Sequence, residues 1–157
     1  FTQVDIEVTL ANDTVSLRDY GNAVANGIVL YSTPHEDEML ILKRALEENN
    51  PEELKKLDPI IKAYEGLVLY TLRVPVPSSL INEHLAYTNA LQAIYSDTKR
   101  ARSVFEDPVP ALVSVKRYQG NIENLVRAIN AVRAKLEAAN VIYTSDEPGI
   151  FFFSLRP

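Results

Sequence analysis

Two long amphipathic segments, on either side of Asp107-Pro108-Val109-Pro110, constrain most strongly what this chain can fold into. In each segment, residues suited to burial recur at alternating steps of four and three. That spacing places them on one face of a helix, so we expect two long helices that pack nearly antiparallel, as in a helical bundle. The two predicted faces consist of Leu80, His84, Tyr87, Leu91, Ile94, Thr98, Ala101 and Phe105, and of Val115, Tyr118, Ile122, Leu125, Ile129, Val132, Leu136 and Ala139.

Capping residues and prolines predict further helices before these two. The first begins between Asp13 and Ser16 and runs to about Tyr31. Its small residues, among them Gly21 and Gly27, predict that another helix crosses it closely. The later predicted starts are Thr33-Pro34, Asn50-Pro51 and Asp58, and the last of these helices runs to about Arg73.

The two ends of the chain depart from the helical pattern. Within residues 1–12, apolar and polar side chains alternate from Gln3 to Leu10, which is typical of a strand or of an extended lead-in from an upstream anchor. Residues 142–157 contain the turn signal Asp146–Gly149, and the apolar run Ile150–Phe153 follows it. We therefore predict one mainly α domain, a bundle of four or five helices within residues 13–141, with short extended segments at both ends that can pair.

Several kinds of chemistry find no support in the sequence. The chain has no cysteine, which excludes disulfides, thiolate metal sites and cysteine nucleophiles. It also lacks the glycine-rich phosphate loops, the Gly-x-Ser-x-Gly motif and the His-Glu-x-x-His motif. His35 and Glu38 could place two metal ligands one helical turn apart, but a charged, exposed first turn explains both residues. We predict no cofactor, no metal site and no catalytic residue.

Charge is distributed unevenly along the chain. Residues 1–98 hold 7 Lys/Arg against 15 Asp/Glu, whereas residues 99–135 hold 8 against 3. Opposite charges help successive helices to pack together, and we favour this interpretation over a nucleic-acid surface because the net charge is −5. No apolar run approaches the roughly 18 residues of a membrane span. Because the sequence starts at Phe1 rather than Met, we expect a removed upstream segment, which is an expression tag, a signal peptide or an anchoring helix.

A small set of polar side chains marks a candidate ligand site. His84 lies on the inner face of the first long helix, with Tyr87 one turn later. Together with Tyr95 and Tyr118, these residues could line a pocket for a small molecule within the bundle. The alternative is structural, with His84 bonded to a neighbouring backbone group or tyrosine and the tyrosines packed at the edge of the core.

A series of motifs stands between residues 74 and 153: a Val-Pro step, LINEHLAYTNAL, DPVPAL, VKRYQ and a closing aromatic tail. In this order they resemble exported helical proteins of candidate-phyla bacteria (the Patescibacteria group), which often carry an N-terminal anchor. The resemblance implies an extracytoplasmic, membrane-tethered bundle. It implies no active site, so no functional residue is assigned from it.

Two functions from different classes are consistent with these features. The first is a non-enzymatic interaction or scaffold domain, whose protein partner would bind a helix face or an aromatic end formed by Phe151, Phe152 and Phe153. The alternative is a small-molecule sensor with its pocket near His84. A closed interior beside His84 would favour the scaffold, whereas a polar-lined cavity there would favour the sensor.

Overall fold

Helices account for most of this structure, which confirms the predicted mainly α bundle. The computed structural model describes residues 1–32 and 34–154. Within these ranges it has six α-helices, several short 3₁₀ turns and one pair of two-residue strands. The α-helices are α1 (Thr14–Tyr31), α2 (Glu38–Glu47), α3 (Leu57–Thr71), α4 (Ile81–Ala101), α5 (Pro108–Ala138) and α6 (Phe151–Ser154).

The frame of the bundle is the α4–α5 pair, whose helices contact each other along much of their length. Tyr87, Leu91 and Ile94 of α4 are buried, as their spacing predicted. Val132 and Leu136 are buried in the same way on α5. Burial of one such large apolar side chain contributes roughly 1.5–3 kcal/mol, which offsets the entropy lost when these long helices become ordered.

Ion pairs join the acidic first part of the chain to the basic segment, as the charge distribution predicted. Arg102 Nε donates to Asp58 Oδ1 at 2.8 Å, which connects the end of α4 to the start of α3. Asp97 of α4 is only 2% exposed, and it accepts hydrogen bonds from Arg117 at 2.8 Å and from Asn121 at 2.6 Å. A buried carboxylate needs such partners, so Asp97 fixes how α4 and α5 face each other.

α1 and α3 cross closely at two glycines, which confirms the crossing predicted from the small residues of α1. A Cβ atom at Gly27 would lie 2.6 Å from the ring of Tyr70 on α3. A Cβ atom at Gly66 would lie 2.3 Å from the ring of Tyr31 on α1. The rings of Tyr31 and Tyr70 meet edge to face, with centroids 6.1 Å apart, so each tyrosine occupies the space that a glycine leaves.

α1 begins and ends where the sequence predicted, but α2 begins later. Asp13 caps α1, because its side chain accepts hydrogen bonds from the backbone of the first helical turn. The sequence predicted a second helix from Thr33-Pro34, whereas α2 begins at Glu38. The reason is a second cap: the Asp37 side chain accepts from two backbone N–H groups of the first turn of α2. The predicted cap Thr33 lies outside the described residues.

The predicted helix start at Asn50-Pro51 is confirmed, whereas the predicted start at Asp58 is wrong. Asn50 caps a 3₁₀ helix, Pro51–Lys56, by accepting from the backbone N–H of Glu52 at 3.1 Å. This helix continues directly into α3, and the backbone of Lys56 is already helical. Asp58 therefore lies within the first turn of α3 and is not its cap.

The two strands do not join the two ends of the chain. β1 (Val8–Thr9) pairs in parallel with β2 (Val76–Pro77), and Val8 stands opposite Val76. The predicted extended segment at the C-terminal end is wrong for residues 148–154, which form a 3₁₀ turn followed by α6. A strand would direct Phe152 away from its two neighbours, whereas a helical turn lets all three rings pack against one core. Residues 155–157 of that segment lie outside the described part.

The C-terminal segment is held against α1 by close packing and polar contacts. The ring of Tyr143 lies where a Cβ atom at Gly21 or Gly149 would clash with it. Glu147 accepts a hydrogen bond from Asn22 of α1 at 2.7 Å, and it also forms an ion pair with Arg18. These contacts bring α6 onto the main core, where it closes one side of the candidate site.

Candidate functional site

A cavity of about 180 Å³ lies where α1, α3, α4, α5 and α6 meet. Its wall combines a large apolar part with a few polar side chains, which is the usual composition of a small-molecule site. The exposed residues Ser32 and His35 lie on its solvent side. The lining residues that are aliphatic or phenylalanine are Ile28, Ile60, Ala63, Leu67, Leu91, Leu125, Ile129 and Phe151.

Tyr87 is the polar residue that distinguishes this cavity from an ordinary packing gap. Tyr87 lines the cavity and is only 1% exposed. Its hydroxyl has no hydrogen-bond partner among the described residues. Burial raises the pKa of this hydroxyl, so the phenol keeps its proton and remains able to donate. A buried polar group without a partner costs roughly 1–3 kcal/mol, so the core retains Tyr87 at the expense of stability.

Tyr64 forms another part of the wall and belongs to a buried polar network. Its hydroxyl donates to Glu38 Oε1 at 2.6 Å, and Glu38 is 4% exposed. Burial raises the pKa of Tyr118, and the neighbouring Tyr64 and Glu38 raise it further. Tyr118 is buried, and it is not among the residues that line the cavity.

His84 is buried one turn before Tyr87, outside the cavity wall. Its Nδ1 lies 3.0 Å from the hydroxyl of Tyr20 on α1. Burial raises the pKa of Tyr20, so this hydroxyl is protonated and donates, and the ring proton of His84 is on Nε2. Burial lowers the pKa of His84 to about 4, and the Thr71 backbone opposes this shift only partly. His84 is thus a neutral core residue bonded to a tyrosine, which is the structural alternative considered from the sequence.

Tyr95 lies on the surface of the bundle. Its hydroxyl donates to Glu65 at 2.9 Å and accepts from Lys99 at 3.3 Å. Of the four residues predicted to line a pocket, the structure therefore places only Tyr87 in the cavity wall, whereas His84 and Tyr118 are buried elsewhere in the interior.

Tyr31 and Tyr64 also line the cavity, although neither was predicted from the sequence as a site residue. The available signal was their place on the apolar faces of the first and third predicted helices. Tyrosines at such positions on separate helices can meet in the interior, but the sequence does not say which helices are neighbours.

The aromatic end expected as a partner surface is largely part of the core. Phe152 is 1% exposed, and Phe151 and Phe153 are half-buried against the main apolar cluster. The Phe151 ring packs edge to face with that of Phe152, with centroids 5.7 Å apart, and Phe151 also lines the cavity. These rings complete the interior, so Phe152 cannot contribute to an exposed surface.

His35 and Glu38 do not form the pair of metal ligands that their spacing in the sequence would allow. His35 is exposed, and its Nδ1 lies 2.9 Å from the carbonyl oxygen of Glu36, whereas Glu38 is buried and bonded to Tyr64. Within residues 1–32 and 34–154, no group of three or more His, Cys, Asp or Glu side chains could hold a metal ion.

Comparison with known proteins finds no match to this chain among protein-family models, curated proteins or solved structures. The resemblance to exported proteins of Patescibacteria therefore stays a prediction. In the described part of the chain, no helix combines the length and the apolar character needed to cross a membrane.

Proposed function

We propose that this chain is a small-molecule-binding domain and that its ligand occupies the cavity beside Tyr87. The observation that carries the proposal is a mostly apolar cavity of about 180 Å³ beside Tyr87, whose buried hydroxyl has no hydrogen-bond partner in the described residues. A ligand in this cavity would bury its apolar part against the aliphatic wall.

Stability alone does not account for this arrangement. A cavity in a core lowers stability in proportion to its volume, and an unpartnered hydroxyl lowers it further. Selection for stability would favour phenylalanine at position 87 or a larger residue at Ala63. A core that retains both a cavity and an unpaired hydroxyl is expected where ligand binding requires them, because function and stability compete at such sites.

The proposed role is binding without catalysis. The cavity residues with perturbed ionisation are Tyr64 and Tyr87, and burial raises the pKa of each hydroxyl. Raised pKa values keep these phenols protonated near neutral pH. They can therefore donate hydrogen bonds, but they are poor bases and poor nucleophiles.

The interaction or scaffold role predicted from the sequence stays a prediction, as do the extracytoplasmic location and the membrane tether. The burial of Phe152 removes part of the surface on which the predicted aromatic end depended. A scaffold would need its partner surface elsewhere, and native mass spectrometry reports subunit count in the same spectrum as bound small molecules.

The test combines native mass spectrometry with a thermal-shift screen of small uncharged molecules. The wild type is compared with Ala63→Leu, which fills part of the cavity, and with Ala134→Leu, which makes the same change on an exposed position of α5. We expect a retained mass or a thermal shift in the wild type and in Ala134→Leu, and its loss in Ala63→Leu. Absence of binding in the wild type, or equal binding in all three proteins, would overturn the proposal.

A further inference from the structure

We infer that the solvent-facing side of α5 binds a second copy of this chain, in an antiparallel helix pair with two-fold symmetry. This contact does not involve the cavity, so it goes beyond the proposed function. Three observations carry it: the spacing of exposed residues along α5, the positions of two opposite charges, and a glycine near the centre of the same surface.

α5 has a second regular series of residues on the side that faces away from the bundle. Its buried residues, among them Tyr118 and Val132, lie on the side that packs against the core. The second series recurs at alternating steps of three and four, which is the spacing of helices that pair along their length. Every member is exposed, and we call this series the outer face: Val109, Leu112, Lys116, Gln119, Glu123, Val126 and Asn130.

The outer face includes large apolar side chains towards both of its ends. Val109, Leu112 and Val126 are each more than half exposed. Single exposed apolar side chains are common on proteins, whereas these three recur along one line of a helix that is otherwise polar on its solvent side. They supply apolar area to a helix that lies along α5.

The order of residues on the outer face makes it complementary to itself. In an antiparallel pair centred on Gln119, Lys116 of one copy lies opposite Glu123 of the other, and symmetry forms the same pair a second time. Leu112 of one copy lies opposite Val126 of the other in the same way. A two-fold interface requires matched charges and matched apolar positions of this kind, so the partner that fits is a second copy of this chain.

Both charges are available for such a contact. The Lys116 ammonium has no hydrogen-bond or ion-pair partner among the described residues. Glu123 accepts one hydrogen bond, from Gln119 at 3.3 Å, and an ionised carboxylate can accept several. Two reciprocal ion pairs would therefore form without breaking an ion pair within either chain.

Gly120 leaves space at the centre of this surface. A Cβ atom at this position would meet nothing within 4 Å, so packing within the chain does not require a glycine here. Glycine weakens a helix, but it allows another backbone to approach closely. Gly120 is next to Gln119, where the two copies of α5 would be centred.

The expected dimer is weak and depends on protein concentration. The outer face extends from Val109 to Asn130, about 32 Å at the rise of an α-helix. One pair of helices with a polar centre buries less area than a standard stable interface, so we expect a reversible equilibrium between monomer and dimer.

The test is sedimentation velocity of the whole chain over a range of concentrations at low salt. Lys116→Glu places like charges opposite each other twice, so we expect its dimer dissociation constant to rise at least about tenfold. The control is Lys62→Glu, which makes the same reversal at an exposed position of α3 and should dimerise as the wild type does. Circular dichroism checks that each variant is folded.

A mixing experiment distinguishes this interface from a general effect of charge. Glu123→Lys alone should weaken the dimer as Lys116→Glu does. An equimolar mixture of these two variants should restore it, because the reversed charges then face each other across the interface. A wild type that stays monomeric, a Lys116→Glu variant that dimerises as well as Lys62→Glu, or a mixture no tighter than either variant alone would each overturn the inference.

Discussion

Replacing Tyr87 by Phe should raise the free energy of unfolding, whereas the same replacement at Tyr20 should lower it. Both tyrosines are buried, at 1% and 2% exposure, and both substitutions delete one hydroxyl oxygen. They differ in what that oxygen contacts. Tyr20 bonds to His84 Nδ1 at 3.0 Å, whereas the Tyr87 hydroxyl has no partner among the described residues.

The magnitudes follow from these contacts. Tyr87→Phe removes the penalty of an unpaired buried hydroxyl, so we expect a gain of roughly 1–3 kcal/mol. Tyr20→Phe loses a hydrogen bond and leaves His84 Nδ1 buried and unpaired, so we expect a loss of roughly 1–3 kcal/mol. For a protein of this length, 1 kcal/mol moves the melting temperature by about 2–4 °C, so the two variants should differ by several degrees.

Urea unfolding followed by circular dichroism at 25 °C measures both changes. The proteins are refolded from denaturant first, because a ligand carried through purification would stabilise the wild type and hide the gain in Tyr87→Phe. An equal slope against urea in all three proteins shows that the folded state is unchanged. A loss of stability in Tyr87→Phe would refute the claim that its hydroxyl is unsatisfied in the free protein.

Two further predictions test packing and ionisation. Gly27→Ala should lower the free energy of unfolding by roughly 1–3 kcal/mol because its Cβ would lie 2.6 Å from the ring of Tyr70. Gly120→Ala should raise the free energy of unfolding by about 1 kcal/mol, because its Cβ atom would meet nothing within 4 Å on an exposed part of α5. Urea unfolding in which the two glycine variants change stability in the same direction would contradict this. The pKa of His84 falls from 6.5 to about 4 on folding, so the unfolded chain binds the proton first as pH falls. The free energy of unfolding should therefore decrease between pH 6.5 and 4, by up to about 1.4 kcal/mol per pH unit, and level off below pH 4. His84→Leu should remove this pH dependence. An equal slope in the wild type and in His84→Leu would refute the prediction.

Much of the fold could be predicted because long, regular spacing leaves little ambiguity. α4 and α5 each present one apolar face over several turns, so their pairing follows from the sequence. The crossing of α1 was predictable for another reason, since Gly27 leaves a gap that only a close neighbour fills.

Short segments were predicted less well because their sequences permit more than one structure. Thr33 and Asp37 are both good caps, and local sequence does not choose between them. The run Ile150–Phe153 is too short for its period to distinguish a strand from a helical turn. Contact with the core decides its structure, and the sequence does not display that contact.

The candidate site was predicted only in part, and the reason is geometric. Tyr87 lies on the predicted inner face of α4 and reaches the cavity. Tyr95 directly follows the buried Ile94, so it points about 100° away from that face. His84 shares the face with Tyr87, but Tyr20 already occupies the space beside it. Which neighbour stands opposite each position depends on the arrangement of all five helices that surround the cavity.

The central claim is that the cavity beside Tyr87 binds a small molecule. A crystal structure of the wild-type chain soaked with phenol tests it most directly. We predict electron density for a phenol ring in the cavity. A cavity closed by side chains, with no phenol in it at saturating phenol, would contradict the account.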